Sequence, residues 1–194
     1  MDPIPALSGE KVFLARLRRE DVPEITKYFS NLELTTYLGS YGRAYSLEDE
    51  EAWYEGVKKS RPDFVFFGIY EVGSKRVVGG IDLRDIDLRH GAATLGISLH
   101  DPEVWNLGYG SEAVRLMVAY GMFHLNLFNI ELRVFAFNER AIGAYQKVGF
   151  REIGRRTGRV ILGGERFDEV YMEITRDAVD TSFLRAQLRQ LGPS

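Results

Sequence analysis

Residues 105–113 read WNLGYGSEA, and this stretch decides how the chain can be interpreted. Strand-like residues 92–99 precede it, and an amphipathic helix pattern follows it. A helix that opens at a Gly-x-Gly turn has first-turn N–H groups without intrahelical partners, and its dipole places partial positive charge there. Glycine lets an anion approach the backbone closely. The stretch therefore predicts an anion site, typical for phosphate, from Leu107 to Ser111.

A second motif follows about thirty residues later. After an apolar strand pattern at 130–136, residues 138–150 read NERAIGAYQKVGF. In this order, the two strands, the Gly-x-Gly helix and the Asn-x-x-Ala-x-x-x-Tyr-x-x-x-Gly-Phe motif resemble the acetyl-CoA-binding half of the GNAT superfamily of N-acetyltransferases. The run GYGSEA followed by VRL is similar to the branch that holds RimJ/RimL and spermidine acetyltransferases. The resemblance covers residues 12–174.

The resemblance implies an α+β fold with a central mixed, mostly antiparallel sheet. Helices would flank this sheet, and two strands in its middle would splay apart to admit acetyl-CoA as co-substrate. We expect one domain over residues 1–194, with a core at about 12–174 and a C-terminal helical extension at 175–194. A homodimer is compatible with the resemblance.

Composition limits the other classes of function. The chain has 194 residues, 45% of them hydrophobic and 27% charged, as is ordinary for one globular domain. A net charge of −3 argues against nonspecific nucleic-acid binding. There is no cysteine, no signal-peptide pattern at the N-terminus and no apolar run near the ~18 residues that span a bilayer. We therefore expect a cytoplasmic protein without membrane or nucleic-acid partners.

The remaining pattern predicts further elements. Val12 to Leu17 alternates as a strand, and Asp21 with Glu24 resembles a capping box that opens a helix. Residues 31–45 are predicted to be irregular or short-helical, and residues 177–191 form a C-terminal amphipathic helix pattern. Strand patterns also occupy 64–70, 77–83, 151–159 and 167–174.

The cofactor-binding residues follow from the resemblance. Backbone groups near Ile97 to Leu99 would bond the pantetheine amides and polarise the thioester carbonyl, and Asn138 would bond the pantetheine arm. Asn106 stands where glycine is common in the family, and Leu107 replaces a frequent Lys or Arg, which would weaken binding by ~1 kcal/mol. The expected set is Ile97, Ser98, Leu99, Trp105, Asn106, Leu107, Gly108, Tyr109, Gly110, Ser111, Asn138, Ala141 and Tyr145.

Tyr145 is the expected catalytic residue, since a tyrosine of ordinary pKa can protonate the departing thiolate. The alternative is that Tyr145 packs a helix on the sheet, and Asn138 is also a suitable N-cap. The general base is not identified by the pattern; the candidates are Asp82, Asp85, Asp87, His100, Glu33 and Glu112. No metal site is expected, because His90, His100 and His124 lack metal-ligand spacing.

The resemblance implies that the acceptor site is shaped by the loop near the last two strands and by the segment between the first two helices. That segment contains Tyr37, Tyr41 and Tyr45 with Gly39, Gly42 and Arg43, and it lacks the acidic cluster that polycation recognition requires. We therefore expect acetyl transfer to a primary amine, either a protein N-terminus or a small amine metabolite. The alternatives are a non-enzymatic acyl-CoA-binding or sensing module and a polyamine acetyltransferase. A dinucleotide-binding fold is disfavoured because no third glycine completes Gly-x-Gly-x-x-Gly.

Overall fold

A computed structural model describes residues 2–39, 42–179 and 182, without the side chain of Glu33. The strands are β1 (Pro5–Ser8), β2 (Val12–Ala15), β3 (Phe64–Glu71), β4 (Val77–Asp87), β5 (Ala92–Leu99), β6 (Asn129–Phe135), β7 (Arg151–Leu162) and β8 (Glu165–Thr175). The helices are α1 (Val22–Phe29), α2 (Leu32–Tyr37), α3 (Leu47–Val57), α4 (Tyr109–His124) and α5 (Glu139–Val148). Short 3-10 turns lie at Arg19–Asp21, Pro102–Val104 and Arg176–Ala178.

The strands form one sheet in the order β1-β2-β3-β4-β5-β6-β8-β7. Neighbouring strands are antiparallel except for β5 and β6, which are parallel. These two strands pair only from Ala92–Thr94 to Asn129–Glu131, and beyond that point they separate. The predicted α+β class, the mixed sheet and the splay in its middle are confirmed.

The main core lies between the sheet and α4. Met117 on α4 and Ile81, Leu83 and Ile130 on the strands are fully buried there, and each aliphatic side chain contributes roughly 1.5–3 kcal/mol by leaving water. Gly121 lets α4 approach β6 closely, because a Cβ at this position would lie 2.9 Å from Ile130 Cδ1. Helix α4 therefore lies close against the sheet, and its first turn lies next to the gap between β5 and β6.

The opposite face of the sheet carries the N-terminal helices. A second buried cluster includes Phe13, Ile25 and Tyr70, and Trp53 of α3 packs edge-on against Phe66 of β3 at 5.2 Å between ring centroids. Covering both faces leaves the splayed middle of the sheet as the place where a ligand could pass between the two layers.

Several local predictions need correction. The Asp21–Glu24 capping box does not form, because the Asp21 carboxylate accepts hydrogen bonds from the guanidinium of Arg18 and from the hydroxyl of Tyr70, at 2.6 Å for the latter. The edge strand β1 was not predicted. By contrast, the prediction that residues 31–45 are irregular or short-helical is confirmed, since they contain the short helix α2. Of the predicted C-terminal helix, residues 177–178 lie in a 3-10 turn, while residues 180, 181 and 183–191 lie outside the described residues.

Candidate active site

The gap between β5 and β6 opens into a cleft of about 750 Å³. On one side of the cleft lie the second half of β5 and the first turn of α4, and on the other lie the end of β6 and α5. Twelve of the thirteen predicted cofactor residues line it, namely Ile97, Ser98, Leu99, Trp105, Asn106, Gly108, Tyr109, Gly110, Ser111, Asn138, Ala141 and Tyr145. Leu107 is the exception, since its side chain is half exposed and faces a separate surface depression.

The turn before α4 adopts the backbone that the sequence pattern requires. Asn106 has φ 64° and Gly108, the N-cap of α4, has φ 87°. Asparagine tolerates this left-handed region better than most residues. The turn therefore forms with Asn106 at the position where glycine is common in the family. Gly108 provides no side-chain cap for α4, which leaves the first-turn N–H groups to a ligand or water.

A lysine from the other end of the sheet supplies a positive charge at this turn. Lys11, just before β2, donates from Nζ to the carbonyl oxygen of Leu107 at 2.8 Å, and its Nζ lies 3.3 Å from the Cβ position of Gly108. The cation that Leu107 lacks is therefore replaced by a residue 96 positions earlier in the chain. Nothing in the local sequence indicates this contact.

Glu112 holds the same segment in place. Its carboxylate accepts backbone N–H groups of Glu10, Lys11 and Val12 at 2.8–2.9 Å. These bonds tie the first turn of α4 to the start of β2. They give Glu112 a structural role and engage both of its carboxylate oxygens.

Trp105 anchors the end of β5 and forms one wall of the cleft. Its Nε1 donates to the carbonyl oxygen of Leu99 at 3.0 Å. The Arg140 guanidinium carbon lies 3.7 Å from the centre of an indole ring, and Tyr37 meets the indole edge-on at 6.2 Å between centroids. A cation stacked on tryptophan is favourable and keeps its N–H donors free at the rim. Arg140 thus places a second positive charge beside the turn.

Asn138 and Tyr145 face the cleft from α5. The Asn138 side chain accepts the N–H of Ala141 at 3.2 Å, so its N-cap role is confirmed. Tyr145 is 9% exposed, and its ring lies 5.9 Å from that of Phe150. Burial raises the pKa of Tyr145 to about 12, and no described residue hydrogen-bonds its hydroxyl. Tyr145 thus packs against Phe150 and lines the cleft, and its hydroxyl has no hydrogen-bond partner among the described residues.

The three predicted base candidates on β4 differ in their surroundings. Asp82 adjoins the cleft through Arg84, whose Nε and Nη2 donate to its two carboxylate oxygens at 2.7 and 2.9 Å. Burial raises the pKa of Asp82. Asp87 accepts two loop N–H groups, and Asp85 is exposed with φ 53°.

Two further candidates lie elsewhere. His100 is 1% exposed behind the sheet, where burial lowers its pKa to about 4 and its Nε2 lies 3.3 Å from the carbonyl oxygen of Val77. The side chain of Glu33 lies outside the described residues. His100 is not among the described residues that line the cleft.

Glu169 is a cleft-lining carboxylate that the sequence analysis missed. It lies on β8, directly opposite Phe135 of β6, and its side chain is 12% exposed. The hydroxyl of Tyr171 donates to Oε2 at 3.0 Å, and Nη1 of Arg156 lies 3.8 Å from the same oxygen. Oε1 has no hydrogen-bond partner among the described residues. One oxygen is thus held in place while the other is available to a ligand.

Aromatic side chains cluster next to Glu169, and of these Phe135 and Tyr37 line the cleft. Phe137 lies between Phe135 and Phe167 with ring centroids 5.4 and 5.2 Å away, and Tyr37 approaches it at 6.0 Å. Of the three predicted acceptor tyrosines, Tyr37 lines the cleft, Tyr45 packs on Phe29 instead, and Tyr41 lies outside the described residues.

Within residues 2–39 and 42–179, no group of three or more His, Asp or Glu could hold a metal ion. No described helix is long and apolar enough to cross a bilayer.

A sheet that splays at one parallel pair, with a glycine turn feeding a helix at the gap, is the arrangement of an acyl-CoA transferase fold. The model of the acetyltransferase (GNAT) domain family matches residues 11–151, and the chain belongs to that family. It is an N-acetyltransferase.

Relatives of known sequence and structure agree with this assignment. An uncharacterized N-acetyltransferase of Bacillus subtilis, YoaA, is 30% identical over 170 residues, which are 84% of this chain and 93% of that protein. The spermidine N(1)-acetyltransferase of Escherichia coli K12 is 27% identical over 173 residues, 85% of this chain and 86% of that one. A crystal structure of spermidine N-acetyltransferase from Vibrio cholerae with CoA and spermine superimposes with a TM-score of 0.76 at 23% identity, covering 88% of this chain and 98% of that one.

Proposed function

We propose that this protein transfers the acetyl group of acetyl-CoA to a primary amine, a protein N-terminus or a small amine metabolite, by direct attack. The observation that carries the proposal is the continuous cleft through the splayed sheet. It has open helix N–H groups at one end and the available oxygen of Glu169 at the other. A cleft of about 750 Å³ suits an extended arm gripped by its phosphates, as acetyl-CoA requires.

Binding begins at the turn before α4. The N–H groups of Tyr109, Gly110 and Ser111 donate hydrogen bonds to the pyrophosphate, aided by the helix dipole. Lys11 and Arg140 add positive charge there. Asn138 and the backbone of β5 bond the pantetheine arm, which occupies the gap between β5 and β6 as an additional strand.

Catalysis requires four further contributions, one from the co-substrate and three from the protein. Acetyl-CoA supplies an acetyl group activated as a thioester. Glu169 takes a proton from the acceptor ammonium through Oε1, because an amine is nucleophilic only when neutral. A backbone N–H near Ile97 to Leu99 stabilises the developing oxyanion, which is worth roughly 3 kcal/mol. Tyr145 donates a hydrogen bond to the departing sulfur, which leaves as the CoA thiolate, and the nitrogen releases its second proton to water as the amide forms.

The experiment that tests this function measures CoA release from acetyl-CoA with a panel of primary amines, in the parent protein and in Glu169→Gln. Loss of the base should lower kcat/KM at pH 7 by roughly 10²–10⁴ and leave acetyl-CoA affinity unchanged. Raising the pH toward 9.5 should recover part of the rate, because more of the amine is then neutral without help.

Glu165→Gln is the matched control, since Glu165 is exposed on the same strand and does not line the cleft. It should behave as the parent. Saturable acetyl-CoA binding without CoA release on any amine would instead support a non-enzymatic acyl-CoA-binding or sensing module. A Glu169→Gln protein as active as the parent at pH 7 would remove Glu169 as the base.

A further inference from the structure

Two guanidinium groups lie on the same face of the sheet at the point where β5 and β6 separate. Thr94 and Glu131 are the last paired residues of these strands. Gly96 and Arg133 each lie two residues further along, so they face the same side of the sheet as that pair. The guanidinium of Arg84 covers Gly96, where any Cβ would collide with it. Arg84 and Arg133 therefore flank the gap from opposite sides, and both line the cleft.

The two arginines differ in their partners. Arg84 directs Nε and Nη2 at the carboxylate of Asp82. Arg133 is exposed, and among the described residues it has no ion pair and no hydrogen bond. Arg133 is thus a cleft-lining cation whose donors are free for a ligand.

Carboxylates face the same side of the sheet as well. Glu131 accepts a long hydrogen bond of 3.4 Å from the hydroxyl of Thr94, and Glu169 is held by Tyr171 and Arg156. The charged side chains of this face balance, with four cations against four carboxylates, namely Arg84, Arg133, Arg151 and Arg156 against Asp82, Glu131, Glu169 and Glu173. A polycation that entered this region would bring further positive charge close to the two guanidinium groups at the gap, which would repel it.

The strand register fixes how far apart the positions of Arg133 and Glu169 lie on the sheet. Glu169 lies directly opposite Phe135, and Arg133 lies directly opposite Tyr171, so Glu169 and Arg133 are diagonal neighbours. Diagonal neighbours in an antiparallel pair are about 7–8 Å apart, and their Cβ atoms are somewhat closer. This spacing suits a small molecule with an ammonium at one end and an anion a few bonds away.

From this juxtaposition we propose that the acceptor is a small primary amine that carries an anionic group, a carboxylate or a phosphate, bound by Arg133. Arg133 is then a specificity-determining residue: its guanidinium holds the anion while Glu169 receives the ammonium. The inference rests on the proposed function and narrows its acceptor.

The test compares amines that differ only in the anion. The probes are leucine against leucinamide, 2-aminoethyl phosphate against ethanolamine, and spermidine, with CoA release measured for the parent, Arg133→Gln and Arg89→Gln. Arg89 is an exposed loop residue outside the cleft. The parent should favour at least one anionic amine over its counterpart without the anion by about tenfold or more in kcat/KM, as expected for hydrogen bonds to a charged group.

Arg133→Gln should abolish this preference by raising the KM for the anionic amine. The affinity for acetyl-CoA and the turnover of the amine without the anion should stay unchanged. Arg89→Gln should match the parent. Highest turnover on spermidine, on leucinamide or on a C-terminally amidated peptide would overturn the inference while the acetyltransferase activity stands. Absence of CoA release with every amine would overturn the proposed function itself, which is a different result.

Discussion

Tyr145→Phe separates a chemical role of the hydroxyl from a packing role of the ring. The ring is 9% exposed and contacts Phe150, and phenylalanine preserves this contact. No described residue hydrogen-bonds the hydroxyl, so its removal leaves no buried partner unsatisfied. The free energy of unfolding should therefore change by less than about 1 kcal/mol.

The expected loss of rate follows from the pKa of the hydroxyl. Burial raises the pKa of Tyr145 to about 12, whereas a thiol has a pKa near ~8.5. Full transfer of the proton to a thiolate of ordinary basicity would be uphill by about 5 kcal/mol. Tyr145 therefore acts chiefly as a hydrogen-bond donor to the developing thiolate, which is worth about 1.5–3 kcal/mol. We expect kcat to fall by about 10- to 100-fold.

The assay is steady-state kcat at saturating acetyl-CoA and amine, with pre-steady-state measurements to show that acetyl transfer limits the rate. Calorimetry should give the same acetyl-CoA affinity for both proteins, since the hydroxyl acts only as the C–S bond breaks. Tyr120→Phe, half-buried on α4 and outside the cleft, is the control and should leave kcat unchanged. A Tyr145→Phe protein within twofold of the parent kcat would refute the reasoning.

Two further predictions concern the phosphate turn and a buried carboxyl group. Gly110→Val should abolish acetyl-CoA binding measured by calorimetry while the protein stays folded, because the new side chain should block the approach of the phosphates to the first-turn N–H groups. Its Cβ would lie 3.3 Å from Leu99 Cδ1. Gly56→Val in α3, which has open space at its Cβ, is the control and should bind normally. Burial raises the pKa of Glu50 to about 7 from 4.5, so the folded protein retains a proton that the unfolded chain releases, and stability declines as pH rises from about 4.5 to 7. Glu50→Gln should raise the free energy of unfolding in urea by about 2 kcal/mol at pH 8 and by little at pH 4.5, whereas an equal effect at both pH values would contradict this. The opposing titration of His100, whose pKa burial lowers to about 4, is common to both proteins and cancels in the difference.

The elements that hold the cofactor side could be predicted because their determinants are local. The Gly-x-Gly turn fixes where α4 begins, and the Asn138 to Phe150 motif fixes α5 together with its cap. Both motifs follow apolar strand patterns, so their order along the chain also indicates which strands flank the gap. Twelve of the expected cofactor residues consequently line one cleft.

The parts that could not be predicted depend on register across distant strands. Glu169 becomes a site residue only because β8 pairs with β6 so that Glu169 lies opposite Phe135. Lys11 reaches the turn at Leu107 because β2 begins beside α4. Asp21 carries an apparent capping signature, yet the stronger partners Arg18 and Tyr70 take its carboxylate. A sequence pattern contains local preference but not these competing long-range partners.

The short parallel contact between β5 and β6 has a consequence for the protein without its co-substrate. Beyond Thr94 and Glu131 the two strands no longer pair with each other, so the molecule carries strand edges in its interior. Edges at the margin of a sheet are commonly blunted by charges, bulges or covering segments, because they template pairing with other chains. Here a co-substrate arm one strand wide would close the edge. Acetyl-CoA bound as proposed would therefore cover strand edges that stay open to pairing in the protein without its co-substrate.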